Sequence, residues 1–216
     1  MVPRRLPLAV ALTASAALLL TACGSGDDKN GDKAAGAGKQ GGNTASPNSS
    51  ATKNASAGLP DFELPDDIKV DIEPSTTGDK AKDQILREQA EGLLARQRIF
   101  VDLDPTSGYL TRYYNGEARA FYVSEIKKAK ADGRTITGTY RYYDRKVTQK
   151  SDDRAVVTYC EDQSKAFAKD IKTEKIKRTE PSPEDYTLIT AVLRKTDHGT
   201  WLVQSFRGEE SATECR

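Results

Sequence analysis

Histidine is almost missing from this chain, and that scarcity narrows the available chemistry at once. The single histidine, His198, lies in Asp197-His198-Gly199, a turn in which its ring is solvated. No Gly-x-Ser-x-Gly, His-Glu-x-x-His, phosphate-binding loop or dinucleotide fingerprint occurs, which disfavours the large hydrolase and nucleotide-dependent classes without excluding an enzyme. Cysteine is scarce too: there are three in 216 residues, none in Cys-x-x-Cys spacing and none beside the histidine. A metal centre, a redox pair and a bound cofactor are therefore not expected. Nor is there an excess of charge of either sign, with 33 basic against 32 acidic residues, so no nucleic-acid or other polyanionic partner follows.

What is present begins with a leader. Met1 to Arg5 carries two arginines and no acid, and Leu6 to Leu20 carries no charge at all. At 1.5 Å per residue these fifteen or so residues make roughly 22 Å of helix, short of a ~30 Å hydrocarbon core, and no basic stop-transfer boundary follows. The pattern predicts a signal peptide over residues 1–22 rather than a permanent span. It closes on Leu20-Thr21-Ala22-Cys23, which resembles the lipobox of bacterial lipoproteins: an aliphatic residue, two small ones and the cysteine that accepts diacylglycerol. The resemblance implies cleavage before Cys23 and a lipid on its thiol. The protein is then a cell-membrane lipoprotein on the extracellular side, exported by the general secretory or the twin-arginine route. Loss of residues 1–22 leaves 31 basic and 32 acidic residues, still balanced.

Between Gly24 and Gly58 there is no Val, Ile, Leu, Phe, Tyr or Trp. Such a segment cannot bury enough apolar surface to offset the entropy of ordering. Residues 23–58 are read as the lipidated cysteine and a disordered tether, whose root-mean-square span of roughly 30–35 Å lifts a domain clear of lipid headgroups.

Apolar residues return at Leu59, and residues 59–216 are read as one α+β domain. Phe62, Leu64, Ile68, Val70 and Ile72 predict an extended edge segment. Leu86, Ala90, Leu93, Gln97 and Phe100 fall at helical spacing within Asp79 to Leu103, which Asp104-Pro105 ends. Gly92 inside that helix points to a close contact. A second helix runs from Gly116 to Asp132-Gly133, with a basic outer face that is ordinary solvated surface. The period then changes to two, and strands are predicted over 136–147, 154–162, 186–196 and 201–206, with a smaller hairpin around Lys172-Thr173-Glu174. The expected architecture is two N-terminal helices packed on a curved antiparallel sheet of four to five strands.

That order of elements resembles the NTF2-like cone, with the cystatin-like arrangement as the near alternative. The stretches Thr137 to Asp144, Val157 to Ser164 and Gly199-Thr200-Trp201 look like those of uncharacterised actinobacterial secreted lipoproteins. The resemblance brings no established ligand or reaction. With Cys23 lipidated, Cys160 and Cys215 remain as an even pair in an exported chain, and a disulfide between them is expected. NTF2-like enzymes such as ketosteroid isomerases and polyketide cyclases use an Asp or His and a Tyr inside an apolar cone. The matching candidates are Tyr122, Tyr140, Tyr142, Tyr159, Tyr186 and Trp201 as lining, with Asp144 as the one carboxylate inside a strand. Such aromatics are more often ordinary core residues with their hydroxyls at the rim, and the remaining acids fall mainly in turns, on the polar helix face and at strand ends. No catalytic residue is assigned. The sequence favours a non-catalytic domain binding an envelope protein or a small ligand over an isomerase-like enzyme or a structural lipoprotein, and leaves the oligomeric state open.

Overall fold

A strand comes before any helix. The computed structural model describes residues 58–216, beginning with β1 (Ile68–Ile72), then α1 (Lys80–Asp102), α2 (Gly108–Tyr113) and α3 (Gly116–Ala131). The sheet strands β2 (Arg134–Lys150), β3 (Arg154–Asp170), β4 (Ile176–Lys177), β5 (Tyr186–Lys195) and β6 (Trp201–Glu210) follow. The leader, Cys23 and the tether ahead of Gly58 lie outside the described residues.

The sheet order is β1-β2-β3-β5-β6, with β4 added beside β3. It is mixed rather than antiparallel, because β1 pairs with β2 in parallel, Ile68 opposite Gly138 and Ile72 opposite Tyr142. A parallel pair needs a long crossover, and the three helices supply it. The expected edge segment is thus a true strand, and the sheet has six strands instead of four to five. A third helix, α2, was missed because six residues are too few to show a helical period.

α1 begins where Asp79 accepts from the backbone N–H groups of Ala81 (2.8 Å) and Lys82 (3.2 Å). It ends at Leu103, whose left-handed φ of 50° lets its N–H reach Ile99 O at 3.0 Å. Gly92 meets the end of α2: the Tyr114 hydroxyl donates to the Gly92 carbonyl at 2.5 Å. A Cβ there would stand 3.7 Å from the same hydroxyl, an ordinary contact, so space alone does not demand glycine.

β2 and β3 run far beyond the alternating apolar stretches that announce them, pairing from Arg134/Asp170 to Lys150/Ala155. Their register slips between Thr139 and Arg141, between Tyr143 and Lys146, and between Val147 and Gln149. Bulges bend a strand and raise its twist, and three of them curve this pair. Gly138 sits near the first slip with φ 95°, and a Cβ on it would come within 2.1 Å of the Lys165 carbonyl oxygen. The helices cover the concave side: α1 packs on β2 and β6, α3 on β6 and β2. Ile85, Leu86, Ile99, Leu110, Ile126 and Leu193 are fully buried there. On the opposite face the C-terminal segment folds back over Tyr143, Tyr186 and Leu188. It is held by a disulfide between Cys160 and Cys215, Cα atoms 5.4 Å apart. Among the described residues no helix is long and apolar enough to cross a membrane.

Candidate functional site

The C-terminal half of α1, the middle of α3 and the inner face of β2, β3, β5 and β6 do not close completely. They leave a cavity of about 360 Å³ walled by six aromatic rings: Phe100, Phe121, Tyr122, Tyr140, Tyr159 and Phe206. Helical spacing puts Phe121, Tyr122 and Glu125 on the sheet-facing side of α3, while alternation puts Tyr159 and Glu161 on the inner face of β3. The rings hold one another: Tyr122 stacks on Phe206 at 5.4 Å, and Phe121 meets Phe206 edge-on at 5.2 Å. Phe121 is 48% exposed and forms part of the mouth. A smaller hollow of about 240 Å³ adjoins through Phe100, Tyr140 and Gln163.

The floor of this cavity is charged. Arg96 of α1 grips Glu161 of β3 with both terminal nitrogens, Nη1 donating to Oε2 at 3.1 Å and Nη2 to Oε1. Nη2 also donates to the Tyr142 hydroxyl, which takes a second bond from Gln97 Nε2 at 2.7 Å. Gln163 Nε2 closes on Glu161 Oε1 at 2.8 Å. The side chains of Arg96 and Glu161 are 13% and 3% exposed. Burial works most strongly against the guanidinium's charge, yet Glu161 together with the phenols of Tyr142 and Tyr122 outweighs it and holds Arg96 well above the ordinary arginine value. Burial also raises the phenols of Tyr122, Tyr142 and Tyr159, and pushes Tyr140 up to about 12. These four hydroxyls stay neutral at any physiological pH. Both oxygens of Glu161 already accept charge-assisted bonds from Arg96, and Oε1 accepts from Gln163 as well.

Of the aromatics proposed from sequence, Tyr122, Tyr140 and Tyr159 line the cavity. Tyr142 lies behind it, fully buried in the Arg96 network. Trp201 is buried elsewhere, at the start of β6, where its backbone N–H donates to Glu88 Oε2 at 2.5 Å. Tyr186 packs beside the disulfide on the other face. Asp144 is not a cavity residue: at the second bulge it takes a left-handed φ of 51° and points outward, 53% exposed and paired with Lys146 at 2.7 Å. His198 is exposed in its turn. Missing from the sequence reading were Arg96, Glu161 and Gln163. Alternation through Val157 and Tyr159 lands on Glu161, but a strand ending at Asp162 makes Glu161 a strand-end acid, and only the full β3, which runs on to Asp170, puts it mid-strand. Among the described residues no three His, Cys, Asp or Glu side chains gather as metal ligands would.

No family model matches the chain, and no curated protein does. Solved structures with a similar outline include a ketosteroid isomerase-like protein from Erwinia carotovora atroseptica. It is 15% identical over 57% of this chain and 93% of that one, with a TM-score of 0.37. An NTF-2 like protein of unknown function from Pseudomonas aeruginosa is 13% identical over 59% and 98%, TM-score 0.36. A domain of unknown function with a cystatin-like fold from Nostoc punctiforme is 12% identical over 64% and 81%, TM-score 0.35. At these scores the likeness is loose, and the site stands on its own geometry.

Proposed function

We propose that this chain is a lipoprotein held through Cys23 on the outer face of the cytoplasmic membrane, whose NTF2-like domain binds a small, largely apolar ligand without transforming it. One observation carries the binding reading: a cavity of about 360 Å³, walled by aromatic rings, above a polar floor whose hydrogen bonds are already made. That volume falls within the roughly 300–1,000 Å³ of small-molecule sites. The rings supply apolar contact at low entropic cost. The polar contacts left for orienting a guest are Thr187 on β5 and the carboxylates Glu125 and Glu210.

An isomerase-like enzyme is the second reading, favoured by a buried carboxylate beside an apolar cavity. Against it stands the bidentate clamp of Arg96 on Glu161, the one deeply buried carboxylate of the cavity. Glu125 is half-buried and Glu210 exposed, so neither sits in the dry surroundings that make a carboxylate a strong base. A structural lipoprotein would be expected to fill its cone.

Native mass spectrometry of the exported, processed chain, sprayed without reductant, tests binding directly. Retained small-molecule mass that disappears when Ile189, in the cavity wall, is replaced by Trp supports the pocket. Bare protein from several expression hosts sinks it. Anchoring is tested separately with Cys23→Ala, which is expected to abolish lipid modification and release the chain from membranes; a variant that stays membrane-bound with unchanged processing refutes the anchor.

A further inference from the structure

The second bulge of β2 does something the aromatic cavity does not use. Regular alternation after the buried Tyr142 would turn Asp144 inward and Arg145 outward. The register slip between Tyr143 and Lys146, with Asp144 in the left-handed region at φ 51°, exchanges them. Asp144 is turned out to Lys146, and Arg145 goes inside, 7% exposed. A left-handed non-glycine residue is strained, and here the strain aims a guanidinium at the interior and its neighbouring carboxylate at the surface.

Inside, Arg145 finds only neutral partners. Nε donates to Gln89 Oε1 at 2.9 Å and Nη2 to the Leu86 carbonyl. Among the described residues no carboxylate comes within ion-pair distance, and Nη1 has no hydrogen-bond partner. Burial pushes the guanidinium down to about 10 with no acid to lift it, so it still carries its charge at neutral pH. A buried, unbalanced charge is costly unless something compensates it.

The surroundings leave room for that compensation. Arg145 borders two clefts separated by the segment Glu73 to Thr76. One, of about 250 Å³, lies against Leu86 and Ala90 of α1, and the other, of about 530 Å³, lies against Lys146 and Thr148. Lys82 and the Thr76 hydroxyl border the larger cleft and add a cation and a donor. Glu73 borders both clefts, Asp83 the smaller and Asp144 the larger; Asp83 is bonded to Thr77 and Asp144 to Lys146, and none of the three makes an ion pair with Arg145.

We propose that Arg145 is the anchor of a second ligand site, distinct from the aromatic cavity, which takes a small oxyanion: the carboxylate or phosphate group of a molecule entering one of the two clefts that the Glu73–Thr76 segment borders. The guanidinium fork matches either group, and the missing negative charge arrives with the ligand.

Calorimetric and thermal-unfolding titrations of the processed chain with sodium phosphate, and separately with sodium acetate, against sodium chloride at matched ionic strength, test the site. Saturable binding of at least one anion is expected, weakened roughly tenfold or more in Arg145→Gln and retained or tightened in Glu73→Gln. Phosphate alone binding identifies a phosphate ligand, acetate alone a carboxylate, and both a general oxyanion site. No saturable binding of either overturns the proposal, as does binding that Arg145→Gln leaves unchanged. If Glu73→Gln destabilises the chain as much as Arg145→Gln, Glu73 is the counter-ion and the proposal also falls. Should Arg145→Gln lose its near-ultraviolet circular dichroism, the Nε–H resonance of Arg145 in the unaltered chain decides: it must shift with anion concentration and saturate, and a resonance that does not move refutes the site.

Discussion

Replacing Glu161 with Gln removes one charge from the cavity floor and changes almost nothing in shape. Arg96, 13% exposed, would keep the Tyr142 hydroxyl and an amide oxygen as partners but no balancing charge. Breaking a buried pair by removing one member costs about 3–5 kcal/mol, because the remaining ion stays out of water unpaid. For a folded part of this size each kcal/mol lowers the Tm by about 2–4 °C, so a fall of roughly 6–20 °C is expected. Arg96→Met should cost a similar amount, since Glu161 is then left with only Gln163 and Tyr142. The double variant Arg96→Met/Glu161→Gln carries no charge in the floor and should cost less than either single change, so the coupling in the cycle should be at least as large as one single loss, about 3–5 kcal/mol. Urea denaturation of the oxidised protein, with the slope m unchanged between variants, is the assay. If Glu161→Gln lies within about 1 kcal/mol of the parent, water reaches the pair and the floor is not the dry, closed polar base that the hydrogen bonds describe.

Three further outcomes are expected. Reduction, or Cys215→Ser, removes a cross-link spanning 55 residues, whose loop entropy in the denatured chain is worth about 4 kcal/mol; non-reducing denaturation curves that match the reduced ones would refute this. Gly138→Ala places a Cβ within 2.1 Å of the Lys165 carbonyl oxygen in a left-handed conformation, and should cost roughly 2–4 kcal/mol by the same assay; a neutral result means that the β2–β3 pair relaxes freely there. The Tyr140 phenol, raised to about 12 by burial, binds its proton more tightly folded than unfolded. Its contribution is therefore full below the ordinary tyrosine value near pH 10 and is lost as pH rises through about 12. Stability should fall as pH rises above about 10, with Tyr122, Tyr142 and Tyr159 acting in the same direction, and Tyr140→Phe should remove a share of that fall on the order of 1–3 kcal/mol without changing stability at pH 7.

Local physics made most of the elements legible. Asp79 before an apolar stripe and Asp104-Pro105 after it bound α1, whose last helical residue is Asp102. Alternation of Thr, Tyr, Val and Ile marked β2, β3, β5 and β6, though not their full lengths, because both long strands continue through residues too polar to advertise a buried face. The turn at Lys172-Thr173-Glu174 connects β3 to the two-residue β4 as the hairpin required. The parallel pairing of β1 was not legible. Five alternating residues announce a strand but not a partner, and the partner lies across three helices.

The candidate site divides along the same line. Composition and period by themselves determined that residues 59–216 carry an α+β domain rich in inward-facing tyrosine, because side-chain direction repeats every two residues in a strand and every 3.6 in a helix. What only the tertiary structure decided depends on contacts between residues far apart in the chain. Arg96 and Glu161 read singly as ordinary surface charges; they become a buried pair because the long Arg96 side chain reaches from α1 to the inner face of β3. Asp144 reads as the inward carboxylate and Arg145 as its outward neighbour; one bulge reverses both, since a single extra residue inverts the alternation beyond it. Periodicity reports which way a side chain points while the period holds, and the chemistry of this molecule is concentrated where it breaks or where two elements meet.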